Sequence, residues 1–298
     1  VLSISVTEKT VKRKHSSFMN LLQQQLLRDY SYQDLNESGL NIFTTLDIQL
    51  QNHAEIAIPI SLDKIEKDRG KKDLQAGVVI ADPRSGEILA LVGDRYPNRN
   101  GFNRAVDAFR PIGSVVKPFV YSYALSKPTS YSLASILKDE SIRWTDVHGV
   151  TWTPKNYDSG EYGEVTLLDA LTRSLNLAAI SLGFELGLNE VKNYLVTLGA
   201  PDNLTSVPSI LIGAVEMSPL LLTEMYTPLA NQGFRTPLQA IKNVTTSDGK
   251  KLARYGLKTT KVMEAETATL VRHGLIRVVS SGTGKSPAKA LPASQPLA

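Results

Sequence analysis

A hydroxyl three residues ahead of an amine, Ser-x-x-Lys, occurs five times in these 298 residues: Ser61/Lys64, Ser114/Lys117, Ser135/Lys138, Ser247/Lys250 and Ser286/Lys289. On a helix this spacing puts both groups on one face, a turn apart, where the amine can take the hydroxyl proton and create a nucleophile. Context separates the five. Ser61 precedes a charge-dense stretch, Ser247 sits in a hairpin turn, Ser286 in a Pro-rich loop, and Ser135 in a polar segment before Lys138-Asp139-Glu140. Ser114 opens a strongly apolar helix, directly after Pro111-Ile112-Gly113. A helix N-terminus offers free N–H groups and partial positive charge, which favour an oxyanion. Pro118 is tolerated only in a first turn, so it places Ser114 at the helix start. Lys117 then points into apolar surroundings that disfavour its charged form and suit it to act as a base. The competing reading makes Ser114 an N-cap and lets Lys117 snorkel to solvent.

The second candidate is Ser174-Leu175-Asn176, the one Ser-x-Asn in the chain. A hydroxyl and a carboxamide two apart can relay a proton and hold an amide. Equally, they can mark a helix break with local side-chain bonds. Other matches lead nowhere. Gly284-Lys285-Ser286 mimics the end of a P-loop, but Val279 stands where its first Gly belongs. His53-Ala54-Glu55 mimics a deaminase zinc signature, yet the chain has no cysteine to complete it. His15, His53, His148 and His273 lack metal-ligand spacing. Zero cysteine also excludes disulfides, thiolate catalysis and iron–sulfur clusters. A net charge of +4 is mild, and the basic run around Lys12 has no aromatic platform, so nucleic acid is not expected. With 42% apolar and 21% charged residues the chain is globular in composition, and its apolar runs fall short of a membrane span.

The elements around these residues read as α+β. Ser17 to Arg28 is a helix with Phe18, Leu21, Leu22, Gln25 and Leu26 on one face and Ser17 as cap. A β-rich stretch, 41–47, leads to Asp47 as the cap of a helix expected to end at Pro59. Residues 64–73 read as a linker or a solvated helix end. Residues 76–81 and 87–92 form a buried hairpin around Asp82-Pro83-Arg84-Ser85-Gly86. Helices follow over 114–126, 165–186, 189–198, 218–231 and 260–279, with a hairpin around Asp248-Gly249 and a Gly/Ser/Pro/Ala-rich loop over 280–298. Hairpin, helices, hairpin is an α+β order rather than alternating βαβ units.

Taken together and in order, several blocks resemble the transpeptidase half of a class A, bifunctional penicillin-binding protein. They are Thr44-Thr45-Leu46-Asp47; Ala81 to Ala90; Phe102-Asn103-Arg104-Ala105; Arg110 to Pro118; Trp152-Thr153-Pro154-Lys155-Asn156 with Tyr162-Gly163; Ser174-Leu175-Asn176; and Gly282-Thr283-Gly284. The resemblance spans roughly residues 40 to 298, and Ser-x-x-Lys with a second Ser motif is the pattern of such enzymes. It implies the fold of penicillin-binding proteins and serine β-lactamases, an antiparallel sheet with helices on both faces. It implies a linker region over 1–74, after an absent glycosyltransferase domain, and a transpeptidase domain over 75–298. Ser114 is then the nucleophile on the D-Ala-D-Ala end of peptidoglycan stem peptides, and the residue that β-lactams acylate. Lys117 is its base, Ser174 relays a proton to the leaving amine, and Asn176 holds the substrate amide and orients Lys117. The Ser114 backbone N–H is one oxyanion donor. No metal or cofactor is implied. Partners would be the donor and acceptor stem peptides, β-lactams, the glycosyltransferase domain, and other cell-wall synthesis and division proteins. The setting is the periplasmic face of the bacterial inner membrane, with an N-terminal transmembrane anchor outside this sequence.

One departure stands out: the family's third motif, Lys-Thr/Ser-Gly, is absent, and Lys258-Thr259-Thr260 fails at the glycine. The expectation is therefore a fragment, cut before the strand that carries that motif and poorly stable alone because a sheet edge is bared. The alternatives are a β-lactamase or D,D-carboxypeptidase on the same fold, with Glu161 or Glu164 near Ser174 in sequence, and a non-catalytic penicillin-binding sensor or scaffold.

Overall fold

A computed structural model describes residues 14–37, 39–97, 99 and 101–285. In chain order the first elements are α1 (Ser16–Asp29), α2 (Tyr32–Glu37), β1 (Asn41–Thr44), α3 (Ile48–Arg69), β2 (Val78–Ala81), β3 (Ile88–Val92) and α4 (Arg104–Asp107). Next come β4 (Arg110–Pro111), a 3-10 turn (Gly113–Val116), α5 (Lys117–Leu125), β5 (Ile136–Asp139), β6 (Trp144–Thr145), β7 (Thr151–Trp152) and β8 (Gly163–Thr166). After them lie α6 (Leu167–Arg173), α7 (Asn176–Leu186), α8 (Leu188–Leu198), a second 3-10 turn (Pro208–Ile212), β9 (Glu216–Met217) and α9 (Pro219–Ala230). The last are β10 (Phe234–Arg235), β11 (Ile241–Thr245), β12 (Lys251–Arg254), β13 (Thr260–Lys261) and α10 (Ala265–Ser280).

Two compact units interleave along the chain. The first takes the described residues up to Phe109 with Ser218–Glu224 and Thr236–Thr260. Its sheet has the order β1-β11-β12, and β2 pairs antiparallel with β3. Phe18, Leu21, Leu22 and Leu26 of α1 pack with Ile88 and Leu91 of β3 and Ile241 and Val244 of β11. The apolar face read from the sequence is thus the buried one. Ser17 is not the cap: His15 precedes the helix in a left-handed conformation, and Ser17 Oγ, inside the helix, accepts the Gly93 N–H at 2.9 Å. Asp47 does cap α3, accepting from the N–H groups of Gln49 and Leu50. That helix runs through Pro59 to Arg69, against expectation. Proline removes one helix bond, but the turns beyond it bury Leu62 beside Ile58 and Val92, and Glu66 binds Arg95 at 2.7 Å. The helix ends at Gly70 in a left-handed cap, so 64–69 is regular helix and not linker. At Leu91 of β3 the backbone is satisfied by a side chain: Gln51 Oε1 accepts the Leu91 N–H at 2.7 Å and Gln51 Nε2 donates to the Leu91 carbonyl at 3.0 Å.

The second unit holds Arg110–Met217, Met225–Arg235 and the described residues from Lys261 on. α5 lies at its centre, with Phe119, Val120, Tyr121, Ala124 and Leu125 all buried. β5 pairs antiparallel with β8, and β4 with β9. The helix expected over 165–186 is broken into α6 and α7 at Ser174, which adopts φ 56° and ψ 44°. The one expected over 260–279 begins at Ala265, because Thr260–Lys261 is strand. The loop expected over 280–298 begins after Ser280; residues 286–298, with Ser286 and Lys289, lie outside the described residues, as do 8–13 of the basic run.

Candidate active site

Ser114 lies in the 3-10 turn that runs into α5, and it is exposed. The preceding segment is pinned as a short ladder: β4 pairs with β9, the Ile112 N–H donates to the Val215 carbonyl and the Gly113 N–H to the Gly213 carbonyl, each at 3.0 Å. Gly213 has φ 92°, and a Cβ there would lie 2.0 Å from the Gly113 oxygen. Only glycine lets these two backbones approach so closely. Pro118 falls in the first turn of α5, where its missing N–H has no helical partner. Tyr226 Oη donates to the Val115 carbonyl at 2.7 Å, fixing the other end of the turn.

Lys117 does not snorkel; it is 1% exposed. Its Nζ donates to the Ser174 carbonyl at 2.6 Å, to Asn176 Oδ1 at 2.7 Å and to Ser174 Oγ at 3.1 Å. Burial pushes Lys117 down to about 8, with the Asp139 carboxylate acting the other way. The first two acceptors are obligate. A neutral amine has two N–H donors and one lone pair, so with both N–H groups on these two oxygens the lone pair is left to accept from a hydroxyl. Ser114 makes no side-chain hydrogen bond among the described residues, and it lies one turn ahead of Lys117. The structure therefore brings Lys117, Ser174 and Asn176 into direct contact, with Ser114 one turn away.

The break at Ser174 is stabilised from outside the helices. The Ser174 N–H caps the end of α6 on the Ala170 and Leu171 carbonyls. At the start of α7, Asn156 Oδ1 accepts the N–H groups of Asn176 at 2.6 Å and Leu177 at 3.2 Å, and Asp139 Oδ1 accepts that of Ala178 at 3.0 Å. Asn176 Nδ2 donates to the Lys155 carbonyl at 2.8 Å, which leaves Oδ1 facing Lys117. Asp139 and Asn156 were not singled out as functional from the sequence. The available signal was strand alternation: in β5 the pattern is exposed Ile136, buried Leu137, exposed Lys138, buried Asp139. Glu161 is turned away, exposed and bound to Ser141, and Glu164 is exposed on β8. Among the described residues no group of His, Asp and Glu could hold a metal ion, and no helix is long and apolar enough to cross a membrane.

The structure thus gathers a hydroxyl at a helix start, a buried lysine of lowered proton affinity and a Ser-x-Asn at a helix break. Residues 76–296 match the family model of the penicillin-binding protein transpeptidase domain, and the chain belongs to that family. It is 37% identical over 272 residues to penicillin-binding protein 1B of Escherichia coli K12, a match covering 90% of this chain and 32% of that protein. The chain thus spans about a third of the length of the curated relatives it matches. Its fold is that of penicillin-binding protein 1A from Haemophilus influenzae, with TM-score 0.86 over 97% of this chain and 62% of that one at 17% identity. It is also that of PonA1 from Mycobacterium tuberculosis in complex with penicillin V, with TM-score 0.76 over 90% and 72% at 22% identity.

Proposed function

We propose that this chain supplies the D,D-transpeptidase site of a bifunctional peptidoglycan synthase. The observation that carries the reading is Lys117: a buried amine at about 8, in contact with Ser174 and Asn176, one helical turn from exposed Ser114. Ser114 Oγ attacks the carbonyl between the two D-alanines, and its proton goes to neutral Lys117. The Cα-amine of the terminal D-Ala leaves as the C–N bond breaks, taking a proton through Ser174 Oγ from Lys117. Asn176 holds the donor amide and keeps Lys117 oriented, and the Ser114 N–H is one oxyanion donor. An acceptor amine then attacks the acyl-enzyme, forming the cross-link and returning the proton to Ser114. A β-lactam opens on Ser114 by the same first step and stays attached; the fold neighbour PonA1 is itself a complex with penicillin V.

The reading carries its setting with it. Residues 1–74 act as the linker after a glycosyltransferase domain and 75–298 belong to the transpeptidase domain. The site works on the periplasmic face of the inner membrane, held by an N-terminal anchor, beside other cell-wall synthesis and division proteins. The test is intact mass after incubation with penicillin G, followed by peptide mapping. The expected result is one added penicillin on the peptide containing Ser114, absent in Ser114→Ala. An adduct on another residue, or one hydrolysed within a single mixing time, would overturn the reading.

A further inference from the structure

Asp139 is a carboxylate with no exposed surface, and none of its partners is a cation. Its three bonds are to N–H groups: Ala178 at 3.0 Å, Asn156 Nδ2 at 2.7 Å and the Tyr162 backbone at 3.1 Å. A neutral oxygen could accept all of them, and burying a charge is expensive unless something compensates it. The α7 N-terminus gives part of that compensation. The remainder lies across the start of α7, where Asn156 holds the backbone N–H of Asn176 and Asn176 holds Lys117.

We propose that Asp139 is the positioning residue and buried counter-charge of Lys117, acting through Asn156 and the first turn of α7 to set both the orientation and the protonation of the base. The inference rests on the transpeptidase reading. Two observations support it beyond the bond chain. The Asp139 carboxylate favours the charged form of Lys117, opposing the effect of burial. The same carboxylate acts on Tyr121, whose buried hydroxyl has no hydrogen-bond partner among the described residues and stays neutral. The other elements around α5 carry charged or titratable groups of their own. On α6, Asp169 and Arg173 face each other at 3.8 Å near the surface. On α8, Tyr194 meets Ser122 and is held neutral by burial. Glu185 of α7 and Glu190 of α8 are exposed and Lys192 of α8 is half-buried; on α10, Glu266, His273 and Arg277 are exposed and Arg272 is half-buried.

The test is the rate of Ser114 acylation by penicillin G from pH 6 to 10 in the full chain and in Asp139→Asn and Asp139→Glu, each with its melting temperature and its adduct yield at saturation. Without the carboxylate, Lys117 releases its proton at lower pH. In Asp139→Asn the inflection should move toward acid by about half a pH unit or more, and the limiting rate should fall about tenfold or more as Asn176 loses its support. Asp139→Glu keeps the charge and should keep the wild-type inflection while its rate falls. Should Asp139→Asn fail to fold, Asp139→Ser, whose neutral oxygen still accepts the Ala178 N–H, carries the same comparison. A merely structural role lowers the melting temperature and yield but leaves the inflection in place, and that result overturns the inference. So does an equal shift in the Asn and Glu variants. Absence of any Ser114 adduct in the wild type removes the transpeptidase reading and this inference with it.

Discussion

The pH dependence of acylation is the sharpest consequence of the buried lysine. If Lys117 must be neutral to accept the Ser114 proton, the rate follows its deprotonated fraction. With the amine at about 8, that fraction is about a tenth at pH 7 and about nine-tenths at pH 9. The second-order rate constant with penicillin G should therefore rise about tenfold between pH 7 and 9 and then level off. An ordinary lysine would give a rise of about a hundredfold over the same interval, with no plateau. Lys117→Ala should lower the rate at pH 8 by about a hundredfold or more, the usual contribution of a positioned base. Lys117→Arg should be as slow and flat with pH, because a guanidinium does not deprotonate. The assay is stopped-flow competition with a fluorescent penicillin. A rate that is flat from pH 7 to 9.5, or that climbs without a plateau, refutes the reasoning. So does a Lys117→Ala rate within tenfold of wild type.

The same lysine makes stability depend on pH. Its folded value is depressed, so between about 8 and 10.5 the unfolded chain binds the proton that the folded chain has released, and stability rises with pH. Relative to Lys117→Met, urea denaturation should give the wild type about 2 kcal/mol more at pH 9.5 than at pH 7; no change with pH would count against the burial. Gly213→Ala forces a Cβ onto the Gly113 carbonyl at positive φ; it should cost about 2–4 kcal/mol and slow acylation by displacing Ser114, read by melting and by the penicillin assay. Pro59→Ala restores one α3 bond and should raise the stability read by urea denaturation by about 1–3 kcal/mol, with acylation unchanged.

Much of this site was legible because single residues carried their own context. Pro118 and the apolar run behind Ser114 distinguished one Ser-x-x-Lys from four others, and Lys117 is buried as that run requires. The α1 face, the Asp47 cap and both hairpins follow from periodicity and turn chemistry. What was not legible depends on tertiary partners. Pro59 is carried by packing on either side of it, which no local rule includes. Asp139, between Lys138 and Glu140, looks like one of three solvated charges until β5 turns it inward. Asn156 acts on Asn176, twenty residues away, through a contact that no spacing predicts.

Ser174 unites two readings that the sequence left as rivals. In an unbroken helix residues 174 and 176 would stand about 200° apart, and no single amine could touch both side chains. The left-handed Ser174 followed by extended Leu175, φ −66° and ψ 131°, turns the two toward Lys117. The helix break is therefore the means by which the motif is built. A non-glycine residue in that conformation costs about 1–2 kcal/mol, and this strain gives a test that separates the fold from the chemistry. Ser174→Gly relieves the strain and removes the hydroxyl. It should leave stability equal or up to about 1 kcal/mol higher while slowing acylation by about tenfold or more. Ser174→Ala keeps the strain, so it should be slowed alike without the gain in stability. If Ser174→Gly acylates at the wild-type rate, the hydroxyl is not in the proton path and Ser174 serves only to make the turn.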